Sequence, residues 1–397
     1  MALLVGVTGL VMLLATPAPN DDYFYYQKFI ETLAGGTLDL SIPGFHGMNI
    51  LSVPWYVLTE SAMTQIHMQM LAGILLPLFA FFAARALFGS TFEAALFASI
   101  IALMPFLSFS ALRGWMVAFY NLLFFLTIIG AVRGAWWTGV AWAFAITSLP
   151  FAVALGPLIL AVWPKKLSAN NHRRTVWLAV AIGIVLSAAY VIVQFLQTGG
   201  INVGVHQEQT AFNIWQGPGR IFLNLMHALQ ILFSIHNYYF IDPARTGHGN
   251  MLQTTPILMM LGLFSIFYSK EYFREKLLPL ALGLGAVIGI GLNVLLDHLD
   301  HFYMETGVFF LIFAAIPLLK KYPLWIPIVL VTLHFQWFYF YLNHGAVFRL
   351  QWWFFLIPAT VDVVFLLYCI AYFRKIWSGM RSMIMLFCKL LQCKKEH

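Results

Sequence analysis

Hydrophobic positions run along this chain in long unbroken stretches, cut by short polar interruptions. Candidate membrane spans fall at about 1–17, 64–85, 91–111, 115–132, 135–148, 149–164, 175–196, 253–269, 277–296, 304–319, 323–342 and 351–373. Each is close to the length of apolar helix that crosses a bilayer, so about twelve spans are expected. The stretches are continuous and do not alternate, which favours helices over a barrel. The predicted fold class is an all-α polytopic membrane protein, with a transmembrane domain over residues 1–373 and outer loops at 18–63 and 197–252.

The first large interruption, residues 20–60, is where the chain concentrates polar groups: it opens Asn20-Asp21-Asp22-Tyr23-Phe24-Tyr25-Tyr26 and ends at Glu60. Tyr25, Phe29 and Leu33 recur at four-residue spacing, which predicts a helix from Asp21 to Leu33. An aspartate pair at its start suits a helix N-terminus, so Asp21 and Asp22 are either capping residues or a site built around negative charge. Gly35-Gly36 breaks the helix, and Pro43-Gly44-Phe45-His46-Gly47 makes a turn-rich loop. Ile50 to Leu58 returns to an apolar, Trp-bearing surface segment. The layout predicted is two interfacial helices with a pocket between.

Further along, residues 135–164 are broken at Ser148-Leu149-Pro150, which predicts two short helices. The loop at 197–252 holds Arg220, Arg245, a surface helix at about 219–235 and the run Tyr238-Tyr239-Phe240. A third polar cluster reads Asp297-His298-Leu299-Asp300-His301-Phe302-Tyr303. Asp362 lies inside the last span, as a functional or a hydrogen-bonded structural acid. Residues 374–397 mix Lys and Arg with Leu, Met and Phe, the pattern of an amphipathic tail on an anionic leaflet. The first run, ending Ala15-Thr16-Pro17-Ala18, also resembles a signal peptide but lacks a basic start. Either way residues 20–60 lie outside.

Composition narrows the class. The chain is 61% hydrophobic and 9% charged, against roughly 25% charged in soluble domains, which excludes an ordinary soluble globule. The formal charge of +7 is a topology signal. With a cytoplasmic N-terminus, only Lys28, Arg113, Arg220, Arg245 and Arg349 fall outside; the other 17 of the 22 Lys and Arg lie inside, as the positive-inside rule requires. No nucleic-acid partner is expected. For a bacterial chain, the localisation predicted is the inner membrane, with the chemistry on its outer face. Cys369, Cys388 and Cys393 are too few for a disulfide framework.

Neither a Gly-x-x-x-x-Gly-Lys nor a Gly-x-Ser-x-Gly motif occurs, which argues against ATP-driven and serine-hydrolase chemistry. His298 and His301, interleaved with Asp297 and Asp300, stand at a spacing compatible with a divalent metal. The spacing does not require one, and no cofactor is called for.

Asp21-Asp22 after a first span, the following Tyr25, a Gly-Gly helix end, a Pro-Gly loop and a Trp/Pro segment together resemble the first outer loop of the GT-C superfamily of polytopic glycosyltransferases. The architecture is similar to the bacterial aminoarabinose transferases of lipid A and the protein O-mannosyltransferases. The resemblance implies a catalytic base at Asp21 with Asp22 accompanying it. Thr147-Ser148-Leu149-Pro150 is similar to that family's Thr-Lys-Pro hinge, with Ser148 in place of the lysine. His301-Phe302-Tyr303 stands where many members carry an Arg-Tyr pair, and Asn121 falls near a position often acidic in relatives.

The physical chemistry fits this. Nucleotide sugars are not supplied outside the cytoplasm, so a donor arrives on a lipid, and a polyprenyl-phosphate-linked sugar is the donor expected. Inversion at the anomeric carbon needs a carboxylate to accept the acceptor's proton, and the departing phosphate needs a cation. Arg113, Arg220 and Arg245 are candidates for that contact, with Tyr25, His46, His301 and Tyr303 as further substrate-binding residues. The acceptor expected is a glycan, glycolipid or protein hydroxyl, and membrane lipids surround the chain. A lipid-linked glycan polymerase or ligase, and a lipid or solute transporter, are the competing classes. A transporter calls for buried ionisable groups or broken helices near the midplane, of which the sequence shows few beyond Asp362.

Overall fold

A computed structural model describes residues 1–19, 21–163, 169–199, 218–233, 255–268, 277–295, 304–344 and 349–371, together with Phe273 and Ala346. Every regular element among these residues is helical. In order they are α1 (Ala2–Leu14), α2 (Asp21–Ala34), α3 (Gly47–Thr59), α4 (Thr64–Phe88), α5 (Thr91–Ala102), α6 (Pro105–Phe109) and α7 (Val117–Arg133). There follow α8 (Thr138–Ser148), α9 (Gly156–Val162), α10 (Ala169–Thr198), α11 (Pro218–Phe233), α12 (Pro256–Phe267), α13 (Leu277–Val294), α14 (Glu305–Lys321), α15 (Trp325–His344) and α16 (Leu356–Ala371). Short 3-10 turns at Ser110–Arg113, Pro150–Leu155 and Trp352–Phe355 adjoin α6, α9 and α16.

Four segments are long and apolar enough to cross a membrane: Thr64–Phe88, Arg174–Thr198, Leu277–Val294 and Trp325–Leu342. A fifth qualifies if α5 and the Pro105–Arg113 segment form one span. The remaining apolar helices are shorter. The single span expected at 91–111 is instead two helices bent by 68°. Pro105 explains the break: it has no N–H to donate into the turn before it, and it pushes Met104 out of the helical region. Met104 accordingly has ψ 89°.

The core is organised on α14, whose residues from Glu305 to Leu319 are all buried. Its Phe309, Phe310 and Phe313 meet Phe124 and Phe125 of α7 and Phe97 of α5, the last stacked on Phe313 at 3.9 Å. Two glycines let neighbouring backbones close on α14. A β-carbon at Gly262 of α12 would stand 2.3 Å from the Leu311 carbonyl, and one at Gly289 of α13 2.8 Å from the Gly307 nitrogen.

Helix polarity sorts the charges. Gln69 of α4 accepts the Phe119 N–H in the first turn of α7 at 3.0 Å, so α4 and α7 start at the same end and run side by side. Their last turns carry Arg85 and Arg133 at the other end, about 37 Å away along the 25 residues of α4. There Lys320, in the last turn of α14, pairs with Glu93, in the first turn of α5, at 2.9 Å. A carboxylate at a helix N-terminus and an ammonium at a C-terminus each sit favourably in the helix dipoles. The end holding α2 and α3 is thus opposite a cluster of basic residues.

Candidate functional site

Helix α2 begins at Asp21, so both aspartates lie in its first turn, where free backbone N–H groups favour carboxylates. Residues on either side of the pair touch residues on either side of Arg113. Before the pair, the Ala18 N–H donates to the Leu112 carbonyl at 2.8 Å. After it, Tyr23 packs so tightly on Gly114 that a β-carbon there would stand 2.9 Å from both Cβ and Cδ2 of the tyrosine. Gly114 has φ +76°, a left-handed conformation that ends the 3-10 turn Ser110–Arg113. The chain at Ala18 and at Tyr23 therefore touches the chain at Leu112 and at Gly114. Arg113 is half-buried, its guanidinium 5.8 Å from the Trp115 ring centre.

Amides fix this arrangement to α4. Gln65 Nε2 donates to the Gly114 carbonyl at 3.0 Å, and the Gln65 N–H donates to Gln27 Oε1 at 3.1 Å. Gln27 Nε2 donates to Glu31 Oε1 at 2.8 Å and to the Ser61 carbonyl at 3.2 Å. The Tyr23 hydroxyl donates to the Ala62 carbonyl. Burial raises the Tyr23 hydroxyl above the usual phenol range, and the nearby Glu31 charge adds to the effect.

The loop between α2 and α3 is closed, not open. After α2, Gly36 (φ +88°) and the Thr37 N–H to Thr32 carbonyl bond of 3.1 Å form a glycine C-cap. Gln197 of α10 then holds the loop with both halves of its amide: Oε1 accepts from Leu40 N–H at 2.7 Å, and Nε2 donates to the Leu38 carbonyl at 2.8 Å. The Tyr190 hydroxyl accepts the His46 N–H at 3.1 Å. His46 is fully buried and stacks on Phe29 at 4.0 Å. Its Nε2 lies 2.8 Å from the Ile42 carbonyl, which only a ring N–H can satisfy, leaving Nδ1 to accept from Asn49 Nδ2 at 3.1 Å. Burial lowers the His46 pKa to about 4. With no exposed surface and both nitrogens engaged, His46 holds the loop together in this geometry.

The Pro-Gly loop also meets the break between α8 and α9. A β-carbon at Gly47 would stand 2.1 Å from Thr147 Oγ1 and 2.9 Å from the Phe144 carbonyl, so only glycine permits this approach. Two segments named for their resemblance, 43–47 and 147–150, are thereby in contact. Ser148, in the position of a lysine in that pattern, is buried and donates to the Phe144 carbonyl at 2.6 Å.

Beneath lies a group that the sequence reading did not single out. Glu305, the first residue of α14, is fully buried, and Asn121 Nδ2 of α7 donates to its Oε2 at 3.3 Å. Glu305 Oε1 and Asn121 Oδ1 have no hydrogen-bond partner among the described residues. The adjacent Tyr120 and Thr306 hydroxyls share a hydrogen bond. The signal was present: an acid within the stretch 304–319 is an intramembrane ionisable residue.

Of the residues selected from sequence, Asp21 and Asp22 lie in a turn whose flanking residues Ala18 and Tyr23 touch Leu112 and Gly114, the residues flanking Arg113. Tyr25 does not join them; it is half-buried against the cluster of Phe29, Leu40 and Ile42, and Tyr23 is the tyrosine beside Arg113. Arg220 lies in the first turn of α11, which is tied to α13 by the Asn224 Nδ2 bond to the Val294 carbonyl at 3.1 Å. Arg245, His301 and Tyr303, with Asp297, His298 and Asp300, lie outside the described residues, as does the tail at 374–397. No protein-family model matches the chain, and no curated protein or solved structure matches it.

Proposed function

We propose that the chain is a multi-pass integral membrane glycosyltransferase that moves a sugar from a polyprenyl-phosphate donor to a glycan, glycolipid or protein hydroxyl, with inversion. The observation that carries this reading is the juxtaposition of the Asp21-Asp22 turn with the Arg113 turn, through Ala18–Leu112 and Tyr23–Gly114. Inverting transfer from a lipid phosphate needs those two charges close together: a base for the incoming hydroxyl and a cation for the phosphate that leaves. In the proposal Asp21 accepts the acceptor's proton as its oxygen attacks the anomeric carbon, and the phosphate departs as an anion toward Arg113. Asp22 orients the turn, and Tyr23 and Gln65 hold its two sides together. No cofactor takes part.

The topology belongs to the same proposal. The shorter apolar helices complete about twelve passes with the four or five long ones. Arg85, Arg133, Lys320 and Lys321 gather at the end opposite α2 and α3, which under the positive-inside rule supports a non-cytoplasmic acid–arginine site. Labelling of cysteines engineered at Asp39 and Lys321 tests this, with reaction from opposite sides expected; reaction of both from one side overturns it.

The test of function is transfer by the purified protein from synthetic polyprenyl-phosphate sugars, read by mass spectrometry of the product glycans or glycolipids. Donor binding should weaken when Arg113 is changed to Gln. Unchanged donor affinity for R113Q, R220Q and R245Q alike contradicts the proposal.

A transporter is the second reading, and two observations favour it: the 68° bend between α5 and Pro105–Arg113, and the buried Glu305–Asn121 pair. Broken helices and intramembrane acids are features of transport pathways. Uptake of an unmodified lipid or solute into liposomes holding the protein, with no transfer product, selects this reading over the first.

A further inference from the structure

The first turn of α14 buries an acid that no positive side chain answers. Glu305 is fully buried, and its Oε2 takes the Asn121 Nδ2–H at 3.3 Å. Its Oε1 has no hydrogen-bond partner among the described residues, and neither has Oδ1 of the Asn121 amide that touches it. Glu305 forms no ion pair among them either. Lys320 and Lys321 stand in the last turn of the same helix, about 22 Å away along its axis, and Lys320 is paired with Glu93. Arg133 of α7 is about 18 Å along its helix from Asn121. Helices α12 and α13, which pack along α14, contain no charged residue, and α5 contains only Glu93.

A desolvated carboxylate without a counter-charge is far costlier than a paired one. The N-terminal turn of α14 supplies part of the compensation, about half a unit of positive charge, which suits the ionised form. The rest calls for a cation. Both unanswered atoms are oxygen acceptors, and the next residues along each helix bring two more oxygens, the Tyr120 and Thr306 hydroxyls, bonded to each other across the same contact. Carboxylate, amide and hydroxyl oxygens are ligands for hard cations. One carboxylate balances one positive charge, whereas a divalent ion would leave an excess charge buried. The site is also closed. Helix α13 presses on the first turn of α14, where a β-carbon at Gly289 would stand 2.8 Å from the Gly307 nitrogen. On the other side Tyr120 packs with Phe45 and Met48, at the end of the first loop and the start of α3.

We propose that Glu305 and Asn121 bind one monovalent alkali cation, through Glu305 Oε1 and Asn121 Oδ1, in the contact between α7 and α14. The ion neutralises the buried acid and ties the two helices together beneath the first loop. The site shares no residue with Asp21, Asp22 and Arg113, so it stands or falls apart from the proposed reaction.

The test uses the purified full chain in detergent, freed of alkali metal in choline chloride. Radioactive sodium should be retained to one ion per chain, with potassium competing and calcium not. Sodium should also raise the unfolding temperature by roughly 2 °C over choline at equal ionic strength. E305Q keeps the size of the side chain and removes its charge, and should retain at least tenfold less sodium. N121L leaves the acid and removes an oxygen ligand, and should weaken retention as well. Absence of retained sodium in the wild type overturns the proposal and leaves a proton as what neutralises Glu305. Full retention by folded E305Q or folded N121L, or displacement of sodium by calcium, overturns it too. Should neither variant fold, the wild type decides alone, by one retained ion against none.

Discussion

Gly114 and Tyr23 touch so closely that no side chain fits between them: a β-carbon at 114 would lie 2.9 Å from the tyrosine's own β-carbon, and the glycine has φ +76°. Strain and crowding therefore coincide at this position. Changing Gly114 to Ala should cost roughly 3 kcal/mol, the sum of a left-handed alanine and an overpacked contact. Gly36 separates the two effects, since it has φ +88° but nothing within 4 Å of an added β-carbon. G36A should cost only about 1 kcal/mol. Thermal unfolding of both variants in detergent measures the difference, and equal losses would show that Tyr23 yields to the intrusion.

Asp21→Asn keeps the shape of the helix start and removes the proton acceptor. Transfer should fall about 100-fold or more, the scale of general-base loss, while folding and donor binding persist. Asp22→Asn should cost less. Steady-state turnover of the purified variants checks this. Near-normal activity of folded D21N removes the assignment, and the reverse ranking names the other aspartate as the base.

His46 makes stability depend on pH in a definite direction. Burial holds its folded pKa near 4, below the unfolded value of about 6.5. Below pH 6.5 the unfolded chain takes up a proton that the folded chain refuses, so acid favours unfolding. The stabilising effect is whole above about pH 6.5 and is lost progressively down to pH 4, amounting to about 3 kcal/mol. Unfolding temperatures measured across this range should show the fall in the wild type, and H46Q should flatten it.

Gln197 is the clamp on the first loop. Gln197→Ala removes two hydrogen bonds, to Leu38 and Leu40, worth about 2 kcal/mol together. The effect should be local: residues 36–44 should be cut faster by added protease, with the rest of the cleavage pattern unchanged. Protection equal to wild type would show that His46 and Gly47 hold the loop unaided.

The pattern of apolar positions foretold the helices near the site well. The helix read at 21–33 is observed at 21–34, and the one read at 219–235 is observed at 218–233. The break after Ser148 is also where it was expected. What the pattern did not reveal is direction around each helix. Tyr23 and Tyr25 are two residues and so about 200° apart, and only the packed structure shows that Tyr23 meets the Arg113 turn. Pro105 sat in the middle of an apolar run that was read straight through, because length alone does not weigh a missing N–H. Glu305 escaped for a related reason: it opens a helix, where an acid reads as ordinary helix punctuation. That the helix start is buried against Asn121 is a tertiary fact. Of the expected spans, four or five fall on helices of spanning length among the described residues and others on shorter apolar helices, because an apolar run such as 91–111 is read as continuous across a kink that only the backbone displays.

The reach of Gln197 also sets a timetable for synthesis. The amide that fastens Leu40 comes 157 residues after it, and the threonine that seats Gly47 comes 100 residues after that glycine. The first loop thus leaves the ribosome long before its anchors exist, and must wait, unfastened, while several more helices are made. Nascent chains halted before residue 147 should carry an open first loop, and those extended past residue 197 a closed one. Errors in helix α10 would then surface as a misassembled first loop, well over a hundred residues earlier in the polypeptide.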